Sequence, residues 1–243
     1  SIKPLSTLRL PRGFRDCTAC SITTMPSVLS ADGDWVTVAI KGVTYGDESA
    51  DWVGVWAPGD ITEDGVALRY PVRYQMANTS CWPKAEAPSS PSLVCAGEAC
   101  CAPNDYAKTG SAILRFQLVN LRADVVFALV QGSAQFPQVV AVSTAVSFVR
   151  PAEPTQIHLA LAADSTAMRV SWTSANISGF GSHPPAVRWG RAPGAFTDGE
   201  IVASFSTYRA EQLCPTGGPA RTLGWRDPGL LWSATIGPLV AGE

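Results

Sequence analysis

Regularly spaced short runs of β-branched and aromatic residues, each closed by Gly, Pro, Asp or Ser, limit this chain more than any other feature. Residues Trp35 to Ile40 alternate aromatic and β-branched side chains with small or polar ones. Asp51 to Trp56 does likewise, and Ala112 to Leu118 follows with apolar residues at every second or third place. A period of two is the mark of a strand with one buried face. Val125 to Val130 and Val139 to Phe148 are denser in Val and Phe, as expected of central strands buried between two sheets. No amphipathic stretch is long enough to insist on a helix, and the even spacing belongs to a sandwich rather than to βαβ units.

A second series starts after Arg150 to Gln156, RPAEPTQ, whose two prolines make a stiff extended connector. Ile157 to Leu161, Met168 to Trp172, Ala186 to Trp189 and Ile201 to Tyr208 again alternate, with Trp172 and Trp189 as aromatic core anchors. The expected fold is all-β, two consecutive immunoglobulin/fibronectin-III-like β-sandwiches: residues 1–149, a linker at 150–156, and 157–243. With 243 residues the chain is long enough for two such cores. The stretch from about 79 to 108 breaks the rhythm of the first sandwich. It holds Cys81, Cys95, Cys100 and Cys101 with Pro83, Pro88, Pro91 and Pro103, and reads as a long loop that needs a staple.

Seven cysteines decide the compartment: Cys17 and Cys20, the four in the loop, and Cys214. They favour an oxidising setting and disulfides. A four-thiolate zinc site built from Cys17, Cys20 and a later pair is the alternative. Adjacent Cys100 and Cys101 fit it poorly, because a zinc knuckle separates its ligands by two to four residues. Cys100 and Cys101 are expected to take different partners, with Cys17 or Cys20 as a long-range mate and Cys214 unpaired within this span. Two N-glycosylation sequons, at Asn78 and Asn176, agree with export. No basic-then-apolar signal opens the chain, so Ser1 reads as a mature or trimmed N-terminus. The setting expected is secreted, in the cell wall or extracellular space, or vacuolar.

Charge excludes several partners. Acidic and basic residues nearly cancel at a net −2, with pI near 5.7, which leaves no basic footprint for nucleic acid. The longest apolar runs fall far short of the ~20 residues a membrane helix needs, so no membrane span is expected. His158 and His183 stand apart and read as structural or solvated. Neither paired carboxylates beside a base nor a Ser/His or Cys/His arrangement is visible, so no catalytic residue is assigned.

With the segments in order, DWVTV, DWVGVWAP, YPVRYQMAN, TGSAILRFQLVNLRADVVFALVQG and VVAVSTAVSFVRP resemble the extra N-terminal domain of large plant-type purple acid phosphatases. After the linker, MRVSWTS, AVRWG and above all YRAEQLCPTGGPARTLGWRDPG resemble the fibronectin-III-like domain that precedes the metallophosphatase domain in those proteins. The resemblance implies a parent that hydrolyses phosphate monoesters at a dinuclear metal site, iron with zinc, manganese or a second iron. Its ligand blocks, GDxG, GDxxY and GNHE with late paired histidines, do not occur here. Gly46-Asp47 and Gly59-Asp60 lack the residues that follow in those blocks and read as turns. No cofactor or metal is therefore expected in this span.

The resemblance also implies that one more strand follows SATIGPLVAGE, so the second sandwich is expected to lack its last strand and the chain to be part of a longer protein. The partner expected first is that protein's own C-terminal catalytic domain, with a homodimer or other extracellular proteins as further partners. In GWRDPG, the residues Trp225, Arg226 and Asp227 are the types found at interface hot spots and are expected at that domain's edge. Asp51-Trp52 and Trp225 to Asp227 admit a sugar-stacking reading, against which stand buried tryptophans and a strand-edge ion pair. The other class of function is a stand-alone extracellular binding or adhesion module with no enzyme attached.

Overall fold

The computed structural model describes residues 19–43, 51–62, 65–132, 137–175, 184–213 and 217–240. It is nearly all β and divides into two compact units, 1–149 and 150–243. Cys17, Cys214, Asn176, His183 and Gly46-Asp47 lie outside the described residues.

The first unit is a sandwich. One sheet joins β1 (Ser21–Met25), β3 (Trp35–Lys41) and β9 (Ala112–Gln117) in the order β1-β3-β9. Alternation along WVTVAIK sends Val36, Val38 and Ile40 inward, and their β9 partners Phe116, Leu114 and Ala112 share that face. The opposing sheet orders β11 (Gln138–Val142), β10 (Val126–Gln131), β4 (Trp52–Trp56) and β5 (Arg73–Met76) as β11-β10-β4-β5. Val53, Val55, Phe127 and Leu129 face the first sheet, and Phe116 and Phe127 meet edge to face across the core with centroids 5.2 Å apart. A short parallel pair, β2 (Val28–Leu29) with β12 (Ser147–Phe148), ties the start of the unit to its end. The Val139 to Phe148 run is thus two strands, interrupted where Ser143 Oγ accepts the Phe127 amide.

Every residue of β10 is buried, because the outer face of its sheet is covered as well. A second cluster there holds Trp56, Val126, Ala128 and Val130, with Trp52, Ile61, Ala67 and Val139 packed against it. Trp52, Gly54 and Trp56 lie on one face of β4, where the two rings stand 5.7 Å apart over a residue with no side chain. The Trp56 indole N–H donates to the Arg69 carbonyl at 2.9 Å and fastens the covering segment. Gly59-Asp60 forms a short 3-10 turn there, with the Asp60 carboxylate 3.4 Å from Arg69 Nε.

The cysteine-rich stretch is not a structureless loop. It folds into its own three-stranded sheet of β6 (Thr79–Pro83), β8 (Ala99–Pro103) and β7 (Val94–Ala96), ordered β6-β8-β7, and a short helix α1 (Tyr106–Thr109). Gly110 ends α1 at φ 63°, where an added Cβ would lie 1.6 Å from the Val43 carbonyl oxygen; only glycine fits that junction.

In the second unit a four-stranded sheet runs β13-β14-β18-β17, built from β13 (Thr155–Leu161), β14 (Met168–Ser174), β17 (Ser204–Ser206) and β18 (Leu230–Ile236). A hairpin of β15 (Ala186–Trp189) and β16 (Gly199–Val202) forms a separate two-stranded sheet. The first strand begins at Thr155, inside the stretch read as linker. Trp172 and Trp232 stack at 6.2 Å in the core, and Trp189 is half-buried against that cluster.

Candidate functional site

Strand pairing fixes the cysteines. Cys81 stands directly opposite Cys101 in the β6–β8 pair, and Cys95 opposite Cys100 in the β7–β8 pair. Both pairs are disulfides, with Cα–Cα separations of 4.0 and 3.9 Å. Neighbouring residues on a strand point to opposite faces, so adjacent Cys100 and Cys101 reach different partners and one bridge lies on each face of the small sheet. This corrects the expected long-range mate: the four cysteines are satisfied among themselves, and neither Cys17 nor Cys20 pins the tail to them. Cys20 is also disulfide-bonded.

The stapled sheet is docked on β9. Ser80 Oγ donates to the Ile113 carbonyl at 2.7 Å, while Asn104 Nδ2 donates to Ser80 Oγ and to the Ala77 carbonyl. Glu86 pairs with Arg115 at 2.5 Å, and the guanidinium sits 5.9 Å from the Trp35 ring centroid. Beneath the sheet the buried Tyr106 hydroxyl donates to the equally buried Asp51 carboxylate at 2.8 Å. Asp51 is therefore a structural anchor and does not face a ligand. Trp52 is half-buried between Trp56 and Tyr74, whose centroid is 5.9 Å away. The sequence held a cue for the small sheet that composition hid: Cys95 and Cys100 flank Ala-Gly-Glu-Ala, and Gly97 at φ 58° makes the hairpin turn between them.

Asn78 sits in the tight turn between β5 and β6, half-buried, with its Oδ1 accepting from Thr79 Oγ1 at 3.1 Å. Trp225, Arg226 and Asp227 lie on the excursion that joins β17 to β18. Trp225 is half-buried and meets Tyr208 edge to face at 5.6 Å. Asp227 Oδ1 accepts the Gly229 amide at 2.8 Å, and Thr207 Oγ1 donates to the Gly229 carbonyl at 2.7 Å, closing the turn at both sides. Arg221, on the one-turn helix α2 (Pro219–Thr222), donates to the Leu213 and Glu211 carbonyls and holds the excursion together. The tract is fixed from within its own unit, with Trp225 and Arg226 half-buried and Asp227 exposed.

Among the described residues no three His, Cys, Asp or Glu side chains converge to hold a metal, and His158 lies exposed on β13. The described residues do not fit a dinuclear centre, and no reaction step is drawn through one among them. Among the described residues no helix is long and apolar enough to cross a membrane.

A family model described as the Fn3-like domain from purple acid phosphatase matches residues 22–150, more than half of the chain. The chain belongs to the purple acid phosphatase family. Its relatives include three Arabidopsis thaliana proteins named probable inactive purple acid phosphatase 27, 24 and 1, which are 35%, 32% and 31% identical over 87% of this chain. Aligned with them, the chain spans 32% of their length. The structure of a purple acid phosphatase isolated from yellow lupin (Lupinus luteus) seeds superposes with a TM-score of 0.69 at 28% identity, covering 91% of this chain and 36% of the other. The Fn3-like label thus falls on the first unit, which the sequence had placed as the additional domain, while the relatives' similarity runs through both.

Proposed function

We propose that this chain is the non-catalytic N-terminal part of a secreted, disulfide-bonded and glycosylated metallophosphatase-like protein, and that its two units pack against and support a catalytic domain. What carries this reading is that one family accounts for both units in order, while the chain spans about a third of its relatives. The parent's reaction would be hydrolysis of phosphate monoesters at a dinuclear metal site outside this span, of iron with zinc, manganese or a second iron. Three relatives carry the name probable inactive purple acid phosphatase, so the support role is the part of the reading that applies whether or not the parent turns over. Cross-strand disulfides and the sequons at Asn78 and Asn176 support export to the extracellular space, cell wall or vacuole.

Trp225, Arg226 and Asp227 are the contact we assign to the catalytic domain. Trp225→Ala should lower the thermal stability of the full-length protein more than that of this 243-residue chain, because only the former loses a buried seam. Equal loss in both places Trp225 in its own unit's core and refutes the assignment. A stand-alone adhesion module would show the equal loss and no larger parent.

A further inference from the structure

The order β13-β14-β18-β17 is the A-B-E-D order of an immunoglobulin-type sandwich, whose second sheet is built from strands C, F and G. Among the described residues that second sheet is the β15–β16 hairpin alone. Val187 and Trp189 pack onto the cluster around Trp172 and Trp232, and both hairpin strands meet β18. At the other flank, Leu159 stands opposite Val170 and Leu161 opposite Met168. Directly opposite residues share a face, so Leu159, Leu161 and, by alternation, Ile157 belong to the core side of the sheet. Yet they are 61%, 85% and 64% exposed. Residues 157–161 also carry no Lys, Pro or acidic residue of the kind that guards a free edge.

We infer that this face is the seat of two further antiparallel strands of the same polypeptide, the first pairing along the side of β15 away from β16 and the two together covering Ile157, Leu159 and Leu161. The inference rests on the reading that the chain is part of a longer protein, and it names the nearest part. Two strands with their turns take roughly 20–30 residues, a small share of the length by which the relatives exceed this span. A second copy does not meet the need. Pairing β13 edge to edge with another β13 sets strands beside the sheet and leaves the aliphatic row uncovered. The shortfall is thus two strands of the second sheet rather than one closing strand, because the first sheet already has its four.

The test uses the full-length protein with a diazirine analogue of leucine at position 159 or 161, irradiated and digested for mass spectrometry. The expected cross-link is to a peptide within about 30 residues after Glu243. A cross-link to a peptide of the catalytic domain overturns the inference and leaves the proposed support role standing. One between two copies, or quenching by water alone in a folded protein, also overturns it. The unsubstituted protein gives a second readout: hydrogen exchange at 157–161 and 186–189 should be slower in the full-length protein than in this chain, and equal rates refute the strand pair. Loss of the support role would show separately, as a following sequence that completes the sandwich and then carries no metallophosphatase domain.

Discussion

Gly54→Ala puts one methyl group where two tryptophans already lie. A Cβ at position 54 would be 2.4 Å from two ring carbons of Trp56 and 2.8 Å from Trp52, so the Trp56 ring must withdraw by about 1 Å to reach ordinary contact. Trp56 has nowhere to go: it is 1% exposed and its N–H is held by the Arg69 carbonyl. Overpacking of this kind costs about 1–3 kcal/mol, while replacing glycine restricts the unfolded chain and returns about 0.4–1 kcal/mol. The net destabilisation expected is about 1–2 kcal/mol, which for a unit of this size lowers Tm by roughly 3–10 °C. Thermal melting followed by near-ultraviolet circular dichroism measures it, with Gly59→Ala as the control, since nothing lies within 4 Å of a Cβ there. A Gly54→Ala protein that melts with the control, or above it, refutes the claim that the glycine exists to seat the two rings.

Removing each staple should have a graded effect. Cys81→Ala with Cys101→Ala opens a loop spanning 20 residues and should cost about 3 kcal/mol, whereas Cys95→Ala with Cys100→Ala opens one of 5 and should cost about 2 kcal/mol; urea unfolding gives both. At the 30–34 turn, partial burial works to raise the Asp34 carboxyl. The Ala31 amide and the Ser30 hydroxyl and amide outweigh it and hold the pKa below the usual carboxylate value. A lowered folded-state pKa stabilises above the unfolded value, and the gain is lost as pH falls through the folded one. The stability gap between the native chain and Asp34→Ala should therefore be full at neutral pH and close on acidification; a gap that widens in acid refutes it. This chain by itself should release no phosphate from p-nitrophenyl phosphate and bind no stoichiometric iron, zinc or manganese, which turnover with one or two bound metals would contradict.

What was legible in the sequence was what a period of two reports. β3 and β9 show it because one face of each is buried and the other is not, and β10 reads as a dense apolar run because both its faces are covered. The small cysteine sheet was illegible because its strands carry proline, serine and cysteine rather than alternating apolar residues, and disulfides do the work that a hydrophobic face does elsewhere. Cysteine partners follow from cross-strand register, which spacing along the chain does not encode. The Asp51–Tyr106 pair joins positions 55 residues apart and leaves no local trace. On β13 alternation marks Ile157, Leu159 and Leu161 as the core-side face, and what it could not show is that this face is open in this chain. GWRDPG was found by residue type alone, and its turn geometry emerged only with Thr207, Tyr208 and Gly229 in place.

The most direct measurement is the sequence of the intact polypeptide that contains these residues, read from its transcript and checked by the mass of the protein purified from its source. The expected result is a chain more than twice this length, in which two strands are followed by a domain of the metallophosphatase class, with or without its full set of metal ligands. A mature protein of about this size, or a continuation of unrelated sequence, would contradict it.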